Sequence, residues 1–331
     1  MPHAQIRKVA SFCLTTPDAH RLSEFYQNAL NFRLLGIERR SGADFERLMG
    51  VEGGASAITL SLGDEIVEFL QFDRPGRPYP DGATSSDLYF QHFAIVVSDI
   101  HLAYQRLLSV DSWTAISTDG PQRLPASSGS VAAFKFRDPD GHPLELLAFP
   151  AGHMPAHWQR RAKGKLFLGI DHSAISVFDT DISIAFYGAL GLRVAARSLN
   201  TGVEQERLDA VKAPRVEVTA LAPEQATPHI ELLSYQSVLG AINVVHGADV
   251  ATTRLVFEAD GPLPARDIAA QRLIDPDGHH LIVLAPIHAS SSTKATANSG
   301  FSPGVVEPEY PYDRSERRIL YQVSGAACCH S

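Results

Sequence analysis

Hydrophobic and polar positions alternate along the chain in short runs, and some of these runs lead into an amphipathic helical pattern. Residues 9–15 and 172–177 alternate with the period of two that is typical of strands. Three further alternating runs precede the next such start, so the pattern predicts units of the order βαβββ. Apolar residues at helical spacing follow each starting run: Leu22, Phe25, Tyr26 and Leu30 in one case, and Ile182, Ala185, Phe186 and Leu190 in the other.

The second half of the chain repeats the first. Phe25 and Tyr26 correspond to Phe186 and Tyr187 at an offset of 161 residues. The two DPDG sequences, which begin at Asp138 and Asp275, correspond at an offset of 137. Pro, Asp and Gly in this order are typical of tight turns, so we expect each DPDG sequence to close the last hairpin of its unit.

Four units follow from this repeat. The fourth has the weakest helical pattern. The expected organisation is a first module over residues 1–150, a linker over 151–166, a second module over 167–287 and a tail over 288–331. We interpret the basic cluster of the linker as a solvated connector. The units run from about Ile6 to Phe72, from Leu88 to Phe149, from Phe167 to Tyr235 and from Ala251 to Ala285.

Composition narrows the classes of function. The chain has 331 residues, 44% hydrophobic and 20% charged, which is typical of a globular protein with a sizeable core. A formal net charge of -8 offers no basic surface for nucleic acid, so we expect a small-molecule partner instead. No apolar run reaches the roughly 18 residues of a membrane span, and the first residues do not resemble a secretory signal. We therefore expect no membrane association and a cytoplasmic location.

A recurrent pattern places a glutamate on the same strand face as a leucine and an aromatic residue. It occurs at Glu68, Glu145 and Glu231, each followed by Leu and then Phe or Tyr at alternate positions. A carboxylate on an apolar face needs a cation, because burying an unpaired charge costs several kcal/mol. His92 and His172 open two of the first strands, so imidazole and carboxylate together predict a site for a divalent ion such as Zn, Ni, Co, Mn or Fe(II).

Other polar residues have weaker signals. His229 shares a strand face with Glu231, so it is a candidate for orienting a ligand or moving a proton; a plain strand histidine is the alternative. Glu204, Gln205 and Arg207 either touch a polar substrate or lie on the surface. Cys13 is expected in the core, and the pair Cys328 and Cys329 in an exposed tail.

These motifs resemble those of the vicinal oxygen chelate superfamily, the group of glyoxalase I, bleomycin resistance proteins and extradiol dioxygenases. The resemblance implies an α+β fold in which four βαβββ units pair into two U-shaped mixed-sheet barrels. It also implies a divalent ion held by residues of first and last strands. Carried over, the ligands are His92 and Glu145 of unit two, and His172 and Glu231 of unit three. Units one and four lack a full set of ligands. Unit one has Ser11 and Glu68 at these positions, and unit four has Thr253 and Ile282.

The resemblance leaves the pairing of units open. Pairing in chain order would leave two imperfect sites, one of which would use Glu68 as an alternative ligand. Pairing of unit two with unit three would complete one site with His92, Glu145, His172 and Glu231. The second arrangement is our hypothesis, since fused four-unit members of the superfamily are known to pair units across the halves.

Three functions fit this reasoning. The first is a glyoxalase-like lyase or isomerase, in which the ion binds neighbouring oxygens of a small substrate and Glu145 or Glu231 transfers a proton, assisted by His229. The second is a non-heme Fe(II) extradiol-type dioxygenase. The third is a binding or resistance protein that has no turnover. The substrate and the oligomeric state stay open, with a homodimer among the options.

Overall fold

The computed structural model describes residues 4–238, 240–242, 244–261, 263 and 269–286. Within these ranges no helix combines the length and the apolar character that crossing a bilayer requires. The predicted tail over residues 288–331, including Cys328 and Cys329, lies outside the described residues.

Units one to three show the expected strands and first helix, whereas unit four shows three strands among the described residues. Unit one contains β1 (Ile6–Thr15), α1 (Ala19–Leu30), β2 (Arg33–Arg40), α2 (Ala43–Met49), β3 (Ala55–Leu62) and β4 (Glu65–Phe72). Unit two contains β5 (Gln91–Val97), α3 (Ile100–Leu108), β6 (Thr114–Ala115), β7 (Gln122–Arg123), a 3-10 turn (Ala126–Ser128), β8 (Ala132–Arg137) and β9 (Pro143–Ala148).

The second half of the chain begins with α4 (Ala156–Arg161), which lies in the predicted linker. The helix position of unit four falls partly on residues 264–268, which lie outside the described ranges. Unit three contains β10 (Phe167–Ser176), α5 (Thr180–Ala189), β11 (Arg193–Asn200), α6 (Val203–Asp209), β12 (Val216–Ala222) and β13 (His229–Tyr235). Unit four contains β14 (Thr253–Ala259), β15 (Ala270–Ile274) and β16 (His280–Leu284).

The strands form two mixed sheets that combine units across the halves of the chain. The first sheet has the order β15-β16-β14-β1-β4-β3-β2, and the second has the order β11-β12-β13-β10-β5-β9-β8-β6, with β7 beside β8. Unit one therefore joins unit four through the antiparallel pair β1 and β14. Unit two joins unit three through the antiparallel pair β5 and β10. Both sheets are open, so the α+β fold with paired units is confirmed but the sheets are not closed barrels.

The predicted domain boundaries divide the chain along its length and stay a prediction, since each sheet takes strands from both sides of the linker. The linker itself is not a plain solvated connector. Trp158 on α4 is fully buried, and its indole Nε1 donates to Asp171 at 3.0 Å. Arg161 binds Glu65 at 2.8 Å, so part of the basic cluster is used in ion pairing.

Helix starts have a common local cause. Asp18, Asp99 and Asp179 each precede a helix, and each side chain accepts a hydrogen bond from a backbone N–H of the first turn. An aspartate at this position typically contributes about 1 kcal/mol to helix stability, because it satisfies a donor that the helix leaves open. The acidic residue after each first strand thus ends the strand and begins the helix.

The main hydrophobic core takes side chains from both sheets and from the helices. On β5, Phe93, Ile95 and Val97 point into this core, whereas His92 and Ala94 lie on the opposite face. The alternation predicted from the sequence therefore separates a core face from a site face.

Both DPDG sequences form the expected turns, between β8 and β9 and between β15 and β16. Each turn is tied to the helix of the preceding unit. Tyr26 donates to Asp138 at 3.0 Å, and Tyr187 donates to Asp275 at the same distance. The two repeated Phe-Tyr pairs thus have a structural role.

Candidate metal centre

Four predicted ligands come together on the site face of the second sheet. The antiparallel pairing of β5 and β10 sets Ala94 opposite His172 and His92 opposite Ala174, so the two histidines lie diagonally across the junction of units two and three. Glu145 pairs with Ala94, and Glu231 pairs with Ala174. Each carboxylate therefore extends from the strand beside a histidine strand. The structure thus brings together the set that the hypothesis of cross-pairing required.

The distances within this group are short. His92 Nε2 lies 2.9 Å from Glu145 Oε2, and His172 Nε2 lies 3.5 Å from Glu231 Oε2. His92, Glu145 and His172 each offer one ligand atom, and these three atoms lie within 4.8 Å of one another. Glu231 stands slightly apart from this tight group. Two imidazoles and a carboxylate at this separation form a candidate site for a divalent ion.

The donor chemistry of the pocket fits such an ion. His92 is buried, and neither of its ring nitrogens has a hydrogen-bond partner among the described residues. The 2.9 Å contact with Glu145 is close enough for an ion pair, but its direction is not that of a hydrogen bond. An imidazole nitrogen without a partner costs desolvation energy of about 1–3 kcal/mol. Coordination of a cation would satisfy it, because neutral imidazole is a metal ligand.

Asp171 is a member of the site that sequence reasoning missed. A bulge between Ile170 and His172 adds one residue to β10, and Asp171 and His172 both line the same cavity. Asp171 accepts from His172 Nδ1 at 3.2 Å and from the Trp158 indole. This contact directs His172 Nε2 toward the centre. A metal-binding histidine usually has such a carboxylate as the hydrogen-bond partner of its other ring nitrogen. The adjacent letters Asp-His were the available signal, but they do not show a bulge.

His229 lies beside this centre. Its Nε2 is 3.6 Å from Glu231 Oε1, and its Nδ1 is 3.9 Å from Asp171 Oδ2. The ring lies 5.3 Å from that of His172, between centroids. The predicted sharing of a strand face with Glu231 places His229 where it can contact that carboxylate.

The surroundings shift the pKa values of His92 and His172 in opposite directions. Burial, together with the charge of Lys135, lowers the pKa of His92 despite the opposing effect of Glu145. Burial also disfavours charge on His172, but Glu231 and Asp171 outweigh it and raise its pKa to about 9. The pKa of Glu231 falls to about 2, because the charge of His172 and contacts with His229 overcome the effect of burial. Without a metal, the centre therefore carries a proton on His172.

The four residues line a cavity of about 350 Å³. A second polar group, also missed from the sequence, lies on its wall. Lys135 Nζ binds Asp209 Oδ1 at 2.7 Å, and both side chains are almost fully buried. Asp209 also accepts from Gln205 at 2.7 Å and from Tyr235 at 2.9 Å. Lys135 was detectable as the polar position between Phe134 and Phe136, but its partner lies 74 residues away.

The remaining predicted residues lie elsewhere or act differently. Glu68, the alternative ligand, belongs to the first sheet, where Arg40 pairs with it at 2.5 Å, so the structure does not bring it to His92. Of the residues near α6, Gln205 lines the cavity and Arg207 forms an ion pair 3.3 Å from Asp119. His142 is fixed in its turn by Asp138 at 2.8 Å, as its turn position suggests.

Comparison with known proteins relates the first part of the chain to one superfamily. The model of the Glyoxalase/Bleomycin resistance protein/Dioxygenase superfamily matches residues 8–146. The chain carries a domain of this superfamily. The match covers unit one and most of unit two, and it confirms the resemblance that the strand motifs indicate. No curated protein matches the chain.

Solved structures of the superfamily share the fold over most of the chain. Glyoxalase I from Zea mays is 19% identical, covers 85% of this chain and 93% of its own, and gives a TM-score of 0.52. Two mutants of that enzyme are 18% and 19% identical, with the same TM-score. They cover 85% and 86% of this chain, and 94% and 93% of their own. At this level of identity the likeness shows the fold alone.

Proposed function

We propose that His92, Glu145, His172 and Glu231 hold a divalent metal ion at the junction of units two and three. The observation that carries this proposal is the convergence of two histidines and two glutamates from separate repeats. Among the described residues, His92 Nδ1 is buried without a partner, and its Nε2 lies 2.9 Å from Glu145. A buried carboxylate of Glu145 and a partly buried one of Glu231 share this sheet face, and a cation between them would add to the charge that His172 and Lys135 supply. Zn, Ni, Co, Mn and Fe(II) all accept such nitrogen and oxygen ligands.

We further propose that the chain is an enzyme that transfers a proton next to neighbouring oxygens of a small substrate, as a glyoxalase-like lyase or isomerase. A divalent ion supplies Lewis acidity that stabilises negative charge on such oxygens. The cavity of about 350 Å³ is large enough for a small molecule. The net charge of -8 argues against nucleic acid. The cytoplasmic location and a homodimer stay predictions.

Glu231 is the residue that we propose as the base. Its carboxylate lies outside the tight group of His92, Glu145 and His172, and is more exposed than that of Glu145. A carboxylate that is not fixed between two ligands can turn toward the substrate and accept a proton. His229 contacts Glu231 and can take part in returning that proton, because imidazole exchanges protons near neutral pH. Glu145, which is closely held by His92, stays the alternative base.

Metal analysis of the purified chain tests the first step. We expect about one divalent ion per chain, located by anomalous scattering between the four residues. His92→Ala should reduce the bound metal strongly, whereas Glu68→Gln should retain it, because Glu68 occupies the position in unit one that matches Glu231. A chain that takes up no divalent ion, or that binds it equally well in both variants, would refute the proposed centre.

Deuterium exchange tests the proton transfer. The metal-loaded chain is incubated in D2O with hemithioacetals of 2-oxoaldehydes and with 2-hydroxy ketones, which carry neighbouring oxygens and an acidic C–H bond. We expect isotope incorporation at that carbon, measured by NMR, and its loss after chelation. Stoichiometric metal without exchange on any member of this set would favour the alternative reaction below.

A non-heme Fe(II) dioxygenase is the second candidate. The tight group of two histidines and one glutamate has the composition of the facial triad that such enzymes use. Catechol-dependent oxygen uptake after anaerobic loading with iron would support it. If the chain binds metal neither during purification nor after loading, a small-molecule binding protein without turnover becomes the better explanation.

A further inference from the structure

The sheet of units one and four carries arginines where the metal centre carries ligands. Its strand register shows the correspondence directly. Cys13 pairs with Arg254 on β1 and β14, as Ala174 pairs with His92 on β10 and β5. Arg254 therefore takes the place of His92. The sequence had suggested Thr253 for this position, which is wrong by one residue, because Val256 pairs with Ile282 as Ala94 pairs with Glu145 and Arg254 lies two residues before Val256.

A second arginine follows the same correspondence. Arg272 pairs with Ile282 on β15 and β16, as Lys135 pairs with Glu145 on β8 and β9. Arg272 thus takes the place of Lys135, and Ile282 takes the place of Glu145. Lys135 has a carboxylate partner in Asp209. Neither Arg254 nor Arg272 has an ion pair with a carboxylate among the described residues.

The remaining matched positions do not restore negative charge. Ser11 replaces His172, and Glu68 replaces Glu231. Glu68 is already neutralised by Arg40 at 2.5 Å. The face that these residues share, which we call the arginine face, therefore has an excess of positive charge over the part of the chain that the structure describes.

Arg254 is fully buried yet incompletely satisfied. Its Nη1 donates to Thr15 Oγ1 at 3.0 Å, and its Nη2 donates to the Gly247 carbonyl. Its Nε is buried without a partner among the described residues. Backbone carbonyls and the ring of Phe72 partly compensate the charge, but burying a cation without an anion is costly.

Arg272 approaches the same place. Its Nε is also buried without a partner, and its guanidinium lies against Gly50, where a Cβ atom would fall 2.5 Å from Nη1. Arg254 Nη2 lies 3.4 Å from the Met49 carbonyl. The two guanidiniums therefore converge on adjacent residues at the end of α2. Arg272 is only partly buried, whereas Arg254 is fully buried.

His280 reports the positive potential of this region. It pairs with Arg254 across β14 and β16, and it is buried. Burial, followed by the charges of Arg254 and Arg272, lowers the pKa of His280 to about 3. The imidazole is therefore neutral and adds no further positive charge beside the two arginines.

We propose that the arginine face binds a small oxyanion, the carboxylate or phosphate group of a small molecule, between Arg254 and Arg272. Guanidinium groups bind both anions through charge-assisted hydrogen bonds. Apolar side chains, among them Met49, Leu70 and Phe72, fill much of the surrounding space. The ligand is thus a small anion, or the anionic end of a larger molecule. The site is separate from the proposed metal centre and does not depend on it.

Calorimetric titration of the chelator-treated chain tests this proposal. Inorganic phosphate and succinate are titrated separately in a buffer of low chloride content, so the two sources of an oxyanion are compared. We expect one binding site per chain for at least one of them. Arg272→Gln should weaken that binding at least tenfold and leave the fold intact, because this arginine is partly exposed and forms no ion pair among the described residues. Arg215→Gln, at an exposed arginine of the other sheet, is the matched control and should bind as the unmodified chain does.

His92→Ala completes the comparison by removing the other centre. Retained oxyanion binding in this variant, together with its loss in Arg272→Gln, would establish the arginine face as the site. If neither anion binds, or if His92→Ala or Arg215→Gln weakens binding as much as Arg272→Gln does, the proposal is wrong. Arg254 would then be only a structural cation that links β14 to the loop at Gly247.

Discussion

The proton on His172 should make the stability of the metal-free chain depend on pH. The charges around His172 determine the sign of this dependence. In the metal-free chain, Glu231 and Asp171 hold the pKa of His172 at about 9, against 6.5 for a free imidazole. The folded chain therefore binds this proton more tightly than the unfolded chain does. Such a proton stabilises the fold fully below pH 6.5, and the stabilisation is lost as the pH rises through about 9.

The magnitude follows from the size of the shift. One pKa unit corresponds to about 1.4 kcal/mol, so the difference between 6.5 and about 9 amounts to roughly 3 kcal/mol of unfolding free energy. The carboxylates of the centre have lowered pKa values, so they titrate at acid pH and do not contribute in this window. His142, whose pKa is also raised by Asp138 despite burial, contributes with the same sign.

Urea unfolding of the chelator-treated chain at about pH 6.5 and at about pH 9 measures the effect. His172→Gln removes the titrating group and retains His142, so the difference between the two proteins isolates His172. We expect the unmodified chain to lose about 3 kcal/mol more than the variant over this interval. Equal losses in both proteins would show that Glu231 and Asp171 do not hold a proton on His172.

Three further predictions concern metal affinity, proton transfer and the buried pair of Lys135 and Asp209. Metal binding must displace the His172 proton, so the apparent affinity should rise about tenfold per pH unit between pH 7 and about 9, measured with a competing chelator. Glu231→Gln should slow proton transfer by about 10²–10⁴ in a deuterium-exchange assay, while Glu68→Gln should leave it unchanged. Lys135→Met should cost about 3–5 kcal/mol in urea unfolding, because it leaves the Asp209 carboxylate buried without its cation.

Each of these three has an outcome that contradicts it. A metal affinity that does not change with pH would mean that His172 is not displaced from its proton or is not a ligand. Equal rates in Glu231→Gln and the unmodified chain would leave Glu145 as the base. For the buried pair, Lys135→Met combined with Asp209→Asn should recover part of the lost stability, since no unpaired charge remains; no recovery would show that the loss came from packing.

Sequence reasoning named the four residues that meet at the candidate centre because the relevant information is local. Alternation along a strand decides which side chains share a face, and it placed Glu145 and Glu231 on faces with apolar neighbours. Internal repetition then indicated that His92 and His172 lie on the first strands of adjacent units. The structure confirms both placements on one site face. The DPDG turns were equally predictable, since Pro, Asp and Gly each favour the backbone of a turn.

Contacts between residues far apart in the chain could not be predicted from these local patterns. Lys135 and Asp209 are 74 residues apart, and their pairing depends on how α6 lies against the second sheet. Asp171 enters the site only because β10 contains a bulge. The choice of Thr253 over Arg254 shows the same limit, since a shift of one residue moves a side chain to the other face of a strand.

The sequence by itself determined the four units, their internal strand order and the residues that each unit offers. Those properties depend on side-chain periodicity and turn chemistry over a few residues. Three features came from the fold in three dimensions: unit two joins unit three, a bulge brings Asp171 to the candidate centre, and arginines stand at the corresponding positions of the other sheet. These depend on backbone pairing between strands that are distant in the chain, which no local pattern encodes.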